Sequence, residues 1–288
     1  MGTMISTTVV LPCHNTADLL HEQLAALARQ DGTSGFEVVV VDDGSSEDVA
    51  QVVERFRGPL PHLRYVRLPY RMGAAHARNT GVESAGSDRI LFCDADDVVH
   101  EAWVARLSAA LEHHHVVAGP LELHRLNPPW LATSGILEQT SGLQHGDFLP
   151  LAGGGNLGVR RAAFAAIGGF DTRLPSLEDT DLCFRLQLAG YPLHFVPEAV
   201  VHVRMRQSLG DLFRQGRRWG HATVALHRKH LGVGMPRPKW ARNLGGWLLV
   251  IPRLLVAWNR SRLCRWVFGL GWRVGRLQGS RDYRLLTF

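Results

Sequence analysis

No two cysteines in this 288-residue chain lie close enough to form a CxxC unit; Cys13, Cys93, Cys183 and Cys264 are far apart. That argues against a zinc ribbon or a disulfide framework and fits a reducing, cytoplasmic compartment. Long apolar runs are missing too. The stretch GWLLVIPRLLVAW is interrupted by Pro252-Arg253, whereas a spanning helix needs about 20 predominantly apolar residues. The first residues hold no basic segment followed by an apolar one, so no signal peptide is expected. Charged residues at 20% against hydrophobic residues at 45% exclude general disorder. Acids nearly vanish late in the chain. From Arg204 onward, 18 Lys/Arg face only Asp211 and Asp282, a net of +16, while residues 1–203 carry 14 basic and 24 acidic side chains, a net of −10. Six of the eight tryptophans (Trp219, Trp240, Trp247, Trp258, Trp266, Trp272) share the basic part. The two portions are expected to meet different partners.

What is present is an alternation of periods. Short β-branched runs at 7–11, 36–41, 63–68 and 89–93 alternate with helical patterns at 17–29, 49–56, 73–84 and 103–111, and a fifth strand is expected at 115–118. Continuous apolar strands separated by helices predict an α/β fold: a doubly wound, mostly parallel sheet flanked by helices. Such sheets bind ligands beyond the carboxyl ends of their strands. The loops PCHN, DDGSS, RMGAAHARNTG and DADD stand at those ends and are expected to converge on one crevice. Residues 119–152 are irregular and read as a segment over the site. A helix over 178–188 stops at Gly190, a strand-rich stretch follows at 194–204, and 208–230 is helical and basic. The chain therefore divides into a unit of residues 1–230 and a basic, Trp-rich, amphipathic helical extension, 231–288. Arg and Trp interleaved with Leu and Val suggest helices lying in a membrane interface; the alternative is an appendage packed on the core or on another subunit.

Four stretches carry chemistry. ILFCDADDVVH drives an apolar strand into Asp94, Asp96 and Asp97. Like charges at that spacing repel unless a cation sits among them. Mg2+ or Mn2+, held by one or two carboxylates plus substrate phosphates, suits such a site and would act as a Lewis acid on a leaving diphosphate. One of Asp94 and Asp96 binds the ion while the other contacts a ribose or a metal-bound water, and Asp97 reads as the cap of the next helix. His202, ending a later strand, is a third ligand candidate or else a structural histidine. VVVVDDGSSED places Asp42 and Asp43 at a strand end, with Gly44 for the turn and Ser45/Ser46 as helix caps. RMGAAHARNTG puts Gly73 at a helix start, with Arg71 and Arg78 able to neutralise a diphosphate. SLEDTDLCFRL offers Glu178, Asp179 and Asp181 as carboxylate bases steadied by Arg185 or a neighbouring arginine, or as acids favoured by the helix dipole. In RQGRRWG, Gln215 and Arg218 are i,i+3 neighbours able to face one ligand, with Trp219 beside them.

Taken in order, VVLPCHN, VDDGSSED, RMGAAHARNTG, DADD, and GGFD followed by LEDTDLCFRL resemble the inverting, bacterial-type family 2 glycosyltransferases with a GT-A fold, over residues 5–230. QGRRW resembles that family's QxxRW signature, most associated with processive polysaccharide synthases, whose multiple membrane spans are missing here. The resemblance implies transfer of a sugar from a nucleotide-diphosphate donor to a hydroxyl of a glycan or lipid-linked glycan, in cell-surface polysaccharide or glycolipid synthesis at the cytoplasmic face of the membrane. It assigns nucleobase reading to Asp43 with Asp42, and donor contacts to Pro12, Asn15, Arg71, Gly73, Arg78, Asp94, Gln215, Arg218 and Trp219. It assigns the metal to Asp96 and the catalytic base to Asp179, with Glu178 and Asp181 competing. Two alternatives stand beside it. A nucleotide- or nucleic-acid-binding module would use the basic tail, but acids in the crevice would repel a polyanion. A nucleotidyltransferase would want a Gly-rich triphosphate loop, and LPCHN has no glycine.

Overall fold

A computed structural model describes residues 5–31, 35–137, 139–146, 148–238, 245 and 247–286; Trp240 lies outside them. The chain begins with three strand–helix pairs: β1 (Thr7–Cys13) and α1 (Ala17–Leu27), β2 (Glu37–Asp42) and α2 (Val49–Arg55), β3 (Leu63–Arg67) and α3 (Ala74–Ser84). Then come β4 (Arg89–Phe92), β5 (Val98–Val99), α4 (Trp103–His113), β6 (Val116–Ala118), β7 (Leu121–Glu122), α5 (Pro129–Ala132), β8 (Gln144–His145), β9 (Pro150–Leu151), β10 (Leu157–Arg160) and α6 (Arg161–Ala166). The chain continues through α7 (Glu178–Leu188), β11 (Leu193–Phe195), β12 (Val201–His202), α8 (Leu209–His230), α9 (Val250–Leu255) and α10 (Arg260–Asp282).

The main sheet runs β11-β6-β10-β4-β1-β2-β3. Pairs β1–β2, β1–β4, β2–β3 and β6–β11 are parallel, and β10 alone runs against its neighbours β4 and β6. β2 is buried along its whole length, as a strand covered on both faces must be. The small residues of α3 let it lie close on β1 and β2: a Cβ at Gly81 would collide with the Val10 side chain. Pairing of Cys13 with Asp42 and of Val10 with Phe92 brings three strand ends to one edge, and the four loops beyond that edge line one cavity. A second sheet, β5-β12-β7, lies just past DADD. Asn156 ties it in, accepting from Trp103 Nε1 at 2.8 Å and donating to the Pro120 and Ala199 carbonyls at 2.9 and 2.8 Å. Asp97 does not cap a helix as expected. The chain passes from it into β5, α4 begins only at Trp103, and Asp97 Oδ1 accepts from the Arg204 backbone N–H at 2.8 Å.

The basic portion behaves in two ways. α10 packs along α8 with the two helices parallel, glycine against backbone. A Cβ at Gly216 or Gly220 would strike the carbonyls of Phe268 or Trp272, and one at Gly271 or Gly275 those of Phe213 or Arg217. α9 instead leaves its apolar side chains exposed. Among the described residues, no helix is long and apolar enough to cross a membrane.

Candidate active site

The cavity at the strand ends has a volume of about 740 Å3. Of the expected site residues, Pro12, Asp43, Arg71, Gly73, Arg78, Asp94, Asp96, Glu178, Asp179, Gln215, Arg218 and Trp219 line it; Asn15, Asp42, Asp181 and His202 do not.

Asp42 and Asp43 are adjacent on a strand end, so their side chains diverge. Asp42 points inward and is fully buried, accepting from Tyr65 Oη at 2.7 Å and the Ser45 backbone N–H at 2.8 Å. Burial opposes its ionisation, but the Ser45 and Tyr65 hydrogen bonds outweigh that and hold it below the usual carboxylate range. Asp43 faces the cavity and accepts from the backbone N–H groups of Met72 and Gly73 at 2.6 and 2.9 Å, closing the DDGS turn onto the start of α3. Gly44 sits at the crossing with φ +65°, where a Cβ would lie 2.5 Å from the Tyr70 carbonyl carbon; no side chain fits. Asn15, at φ 50°, braces the neighbouring loop by accepting from the Ser46 N–H at 2.9 Å.

Arg78 joins the two acidic motifs. Its guanidinium donates to Asp94 Oδ1 at 2.7 Å and to Glu178 Oε1 at 2.8 Å, and its side chain is only 5% exposed. Burial disfavours its charge, but Asp94, Glu178 and Asp179 more than compensate and raise its pKa further. Asp96 turns toward the cavity with Arg206 3.5 Å away. Burial, then the Asp94 charge, pushes Asp96 up; burial with both neighbours pushes Asp97 up further. A cation there would relieve that repulsion, and the donor set of hard oxygens fits Mg2+ or Mn2+. No group of three His/Cys/Asp/Glu side chains that could hold a metal is gathered among the described residues. His202 is not among the residues lining the cavity; its Nδ1 lies 2.7 Å from Glu122 Oε2, which joins β12 to β7, while its buried Nε2 has no hydrogen-bond partner among the described residues, so this geometry suits a structural histidine and a carboxylate-held ligand alike.

Asp179 sits where α7 starts. Leu177, just before the helix, holds the left-handed region at φ 60° without being glycine, a strained conformation of the kind found at working sites. Asp179 Oδ2 accepts from the Gly154 N–H at 2.8 Å. Burial, then the Glu178 charge, pushes Asp179 up to about 6, against the lowering effects of the Gly154 N–H and Arg78. Asp181, the third acid of the motif, is fully buried and has a different job. It binds Arg185, Lys229 and His230 at 2.6, 2.6 and 2.8 Å, fastening α7 to the end of α8.

Sequence reasoning missed two parts of the site. The GGG run reads as the restart of ordered structure, yet it wedges between the motifs. A Cβ on Gly155 would sit 2.9 Å from Asp94 Oδ2, and one on Gly154 would sit 3.2 Å from the Arg78 guanidinium. Three consecutive glycines before a strand are a readable signal for such an approach. The second part is a set of apolar lining residues, including Phe148, Phe184, Met205 and Trp272; they come from scattered segments with no common motif.

A mostly parallel sheet whose strand ends present paired aspartates, an arginine bridge and a half-buried carboxylate at a helix start is a GT-A fold. Solved structures with that fold superpose on the chain. One is the mannosyltransferase PcManGT from Pyrobaculum calidifontis in complex with GDP-Man and Mn2+ (TM-score 0.64, 20% identity, covering 96% of this chain and 88% of that one). Another is S. aureus TarS 1–349 in complex with UDP-GlcNAc (TM-score 0.58, 18% identity, 97% and 92%). At these identities the likeness shows the fold. The glycosyl transferase family 2 model matches residues 8–167, and the glycosyl transferase family group 2 model matches 89–277. The chain belongs to glycosyl transferase family 2. Among curated relatives, the pre-mycofactocin glycosyltransferase of Mycobacterium tuberculosis is 28% identical over 265 residues, covering 84% of this chain and 52% of the relative. The N-acetylglucosaminyltransferase of Mesorhizobium japonicum is 28% identical over 239 residues, covering 76% and 56%. The chain thus spans about half the length of the curated relatives it matches.

Proposed function

We propose that this protein transfers a sugar, with inversion, from a nucleotide-diphosphate donor to a hydroxyl of a glycan or lipid-linked acceptor. The observation that carries the reading is the Arg78 bridge, which holds the Asp94 and Glu178 loops together at one cavity. Asp43 and Pro12 take the nucleoside, and Asp94 its ribose. Arg71, Gly73 and Arg218, which line the cavity, are assigned to the diphosphate, and Gln215 and Trp219, in the same lining, to the donor. Asp94 and Asp96 would hold Mg2+ or Mn2+, which when bound neutralises charge on the departing diphosphate.

Asp179 is the base. Its raised pKa puts it near the working pH, where a carboxylate best accepts a proton in the transition state. The acceptor hydroxyl gives its proton to Asp179 while its oxygen bonds to the anomeric carbon. The bond from that carbon to the diphosphate oxygen breaks on the opposite face, and the nucleoside diphosphate leaves with the electron pair. Glu178, paired to Arg78, holds the arginine and raises the basicity of its neighbour. The net +16 after residue 203 and the exposed apolar side chains of α9 support work at the cytoplasmic face of a membrane, on a cell-surface polysaccharide or glycolipid.

A thermal-shift panel of nucleotide sugars with Mg2+ or Mn2+ tests the donor. Ligand binding to the folded state raises the midpoint more the tighter the ligand binds at a given concentration, so one donor should stand out only when metal is present. Equal, metal-independent shifts across the panel would overturn the reading.

A further inference from the structure

A second cavity, about 660 Å3, lies away from the strand ends, between α9, the start of α10 and the turn after α5. Arg253, Arg262, Arg265 and Arg273 line it with Trp266 and Ser134, and among the described residues no carboxylate does. None of the four arginines has an ion-pair partner among the described residues. Arg262 contacts the Val256 carbonyl and stacks on Trp258, Arg265 donates to the Ser134 carbonyl, and Arg273 donates to the Gly269 carbonyl. Burial and the facing Arg253 charge push Arg273 below the ordinary guanidinium value, as expected where cations gather without a counter-charge.

α9 forms its rim. Trp266 Nε1 donates to the Val250 carbonyl at 2.9 Å and pins the short helix in place. The helix and its flanks leave apolar side chains exposed: Leu248 is 77% exposed, Ile251 71%, Leu255 79% and Trp258, beneath Arg262, 74%. Arginines alone would suit free phosphate or a nucleic-acid backbone, and apolar side chains alone would suit another protein. Only a lipid leaflet sets a plane of phosphates directly against hydrocarbon within about 5–10 Å. We propose that this cavity takes the phosphate of an anionic phospholipid while α9 enters the acyl region of the same leaflet. The proposal rests on the membrane clause of the function above and is independent of the chemistry at Asp179.

The test is co-sedimentation of the full chain with phosphatidylcholine vesicles, with and without phosphatidylglycerol. Binding should need the anionic lipid and weaken with salt. An arginine near the surface contributes about fivefold in affinity, so R253Q/R262Q should bind about 25-fold more weakly. I251S/L255S should also lose binding. All four side chains are exposed, so an unchanged unfolding midpoint and an unchanged donor-induced shift confirm that both variants fold. Anionic-vesicle binding that R253Q/R262Q leaves intact overturns this site and spares the membrane clause; no vesicle binding at all overturns both. Two further results also overturn the proposal: stabilisation of the full chain by inorganic phosphate without vesicle binding, and binding of RNA by the unaltered full chain while it ignores vesicles.

Discussion

Asp94 and Glu178, one from the loop after β4 and the other from the start of α7, grip the two ends of a single buried guanidinium, that of Arg78, at 2.7 and 2.8 Å. The acids expected to bind donor and metal are thereby locked to those expected to activate the acceptor. Removing one partner of a buried ion pair leaves the others uncompensated, at a cost of about 3–5 kcal/mol. Arg78→Met should therefore lose that much stability in urea unfolding, and Arg78→Lys less, because an ammonium keeps the charge although it cannot span both carboxylates.

The pH profile should follow Asp179. Because burial and Glu178 push its pKa up to about 6, transfer should fall about tenfold per pH unit below that value and level off above it. The sign for stability is the reverse. A folded pKa above the unfolded one favours folding below the unfolded value, and that contribution is lost as pH rises through about 6. Glu178→Gln removes the neighbouring charge and should move the acid limb of the rate profile to lower pH. A limb that stays put would show that Glu178 has no electrostatic hold on Asp179.

Gly155→Ala tests the wedge. Its Cβ would come 2.9 Å from Asp94 Oδ2, so Asp94 must turn away. Disturbing the support of a ligand costs roughly 10–100-fold in metal affinity. The donor-induced thermal shift of the variant should accordingly need that much more Mn2+.

Much of this was readable beforehand because it is local. β4 ends and α7 starts where the apolar run and the acidic cluster put them. Asp42 and Asp43 stood as a pair, though strand parity alone implies that only one can face the cavity while the other meets Tyr65. Asp97 carries the sequence signal of a helix cap, and only the distant Arg204 N–H reveals its partner. The antiparallel run of β10 was hidden for a related reason: side-chain alternation is the same in either strand direction. Nothing local to His202 shows that Glu122, on another strand, holds its Nδ1 and leaves Nε2 without a partner. The glycines that join α8 to α10 do recur four apart, at Gly216 and Gly220 and at Gly271, Gly275 and Gly279. Their meaning needed the two helices side by side.

That helix pair gives a stability prediction. Gly220→Ala would drive a Cβ into the Trp272 carbonyl, whereas nothing lies within 4 Å of a Cβ at Gly232. Overpacking of this kind costs about 1–3 kcal/mol. Gly220→Ala should lower the unfolding midpoint by several degrees, and Gly232→Ala should leave it near that of the wild type.

The central claim is that Asp179 removes the proton from the acceptor while other groups bind the donor. Asp179→Asn keeps the shape and an acceptor for the Gly154 N–H but cannot take a proton. With the donor selected by the thermal-shift panel, the variant should retain the metal-dependent shift while its turnover falls by about 10²–10⁴-fold. Unimpaired turnover in Asp179→Asn would contradict the account.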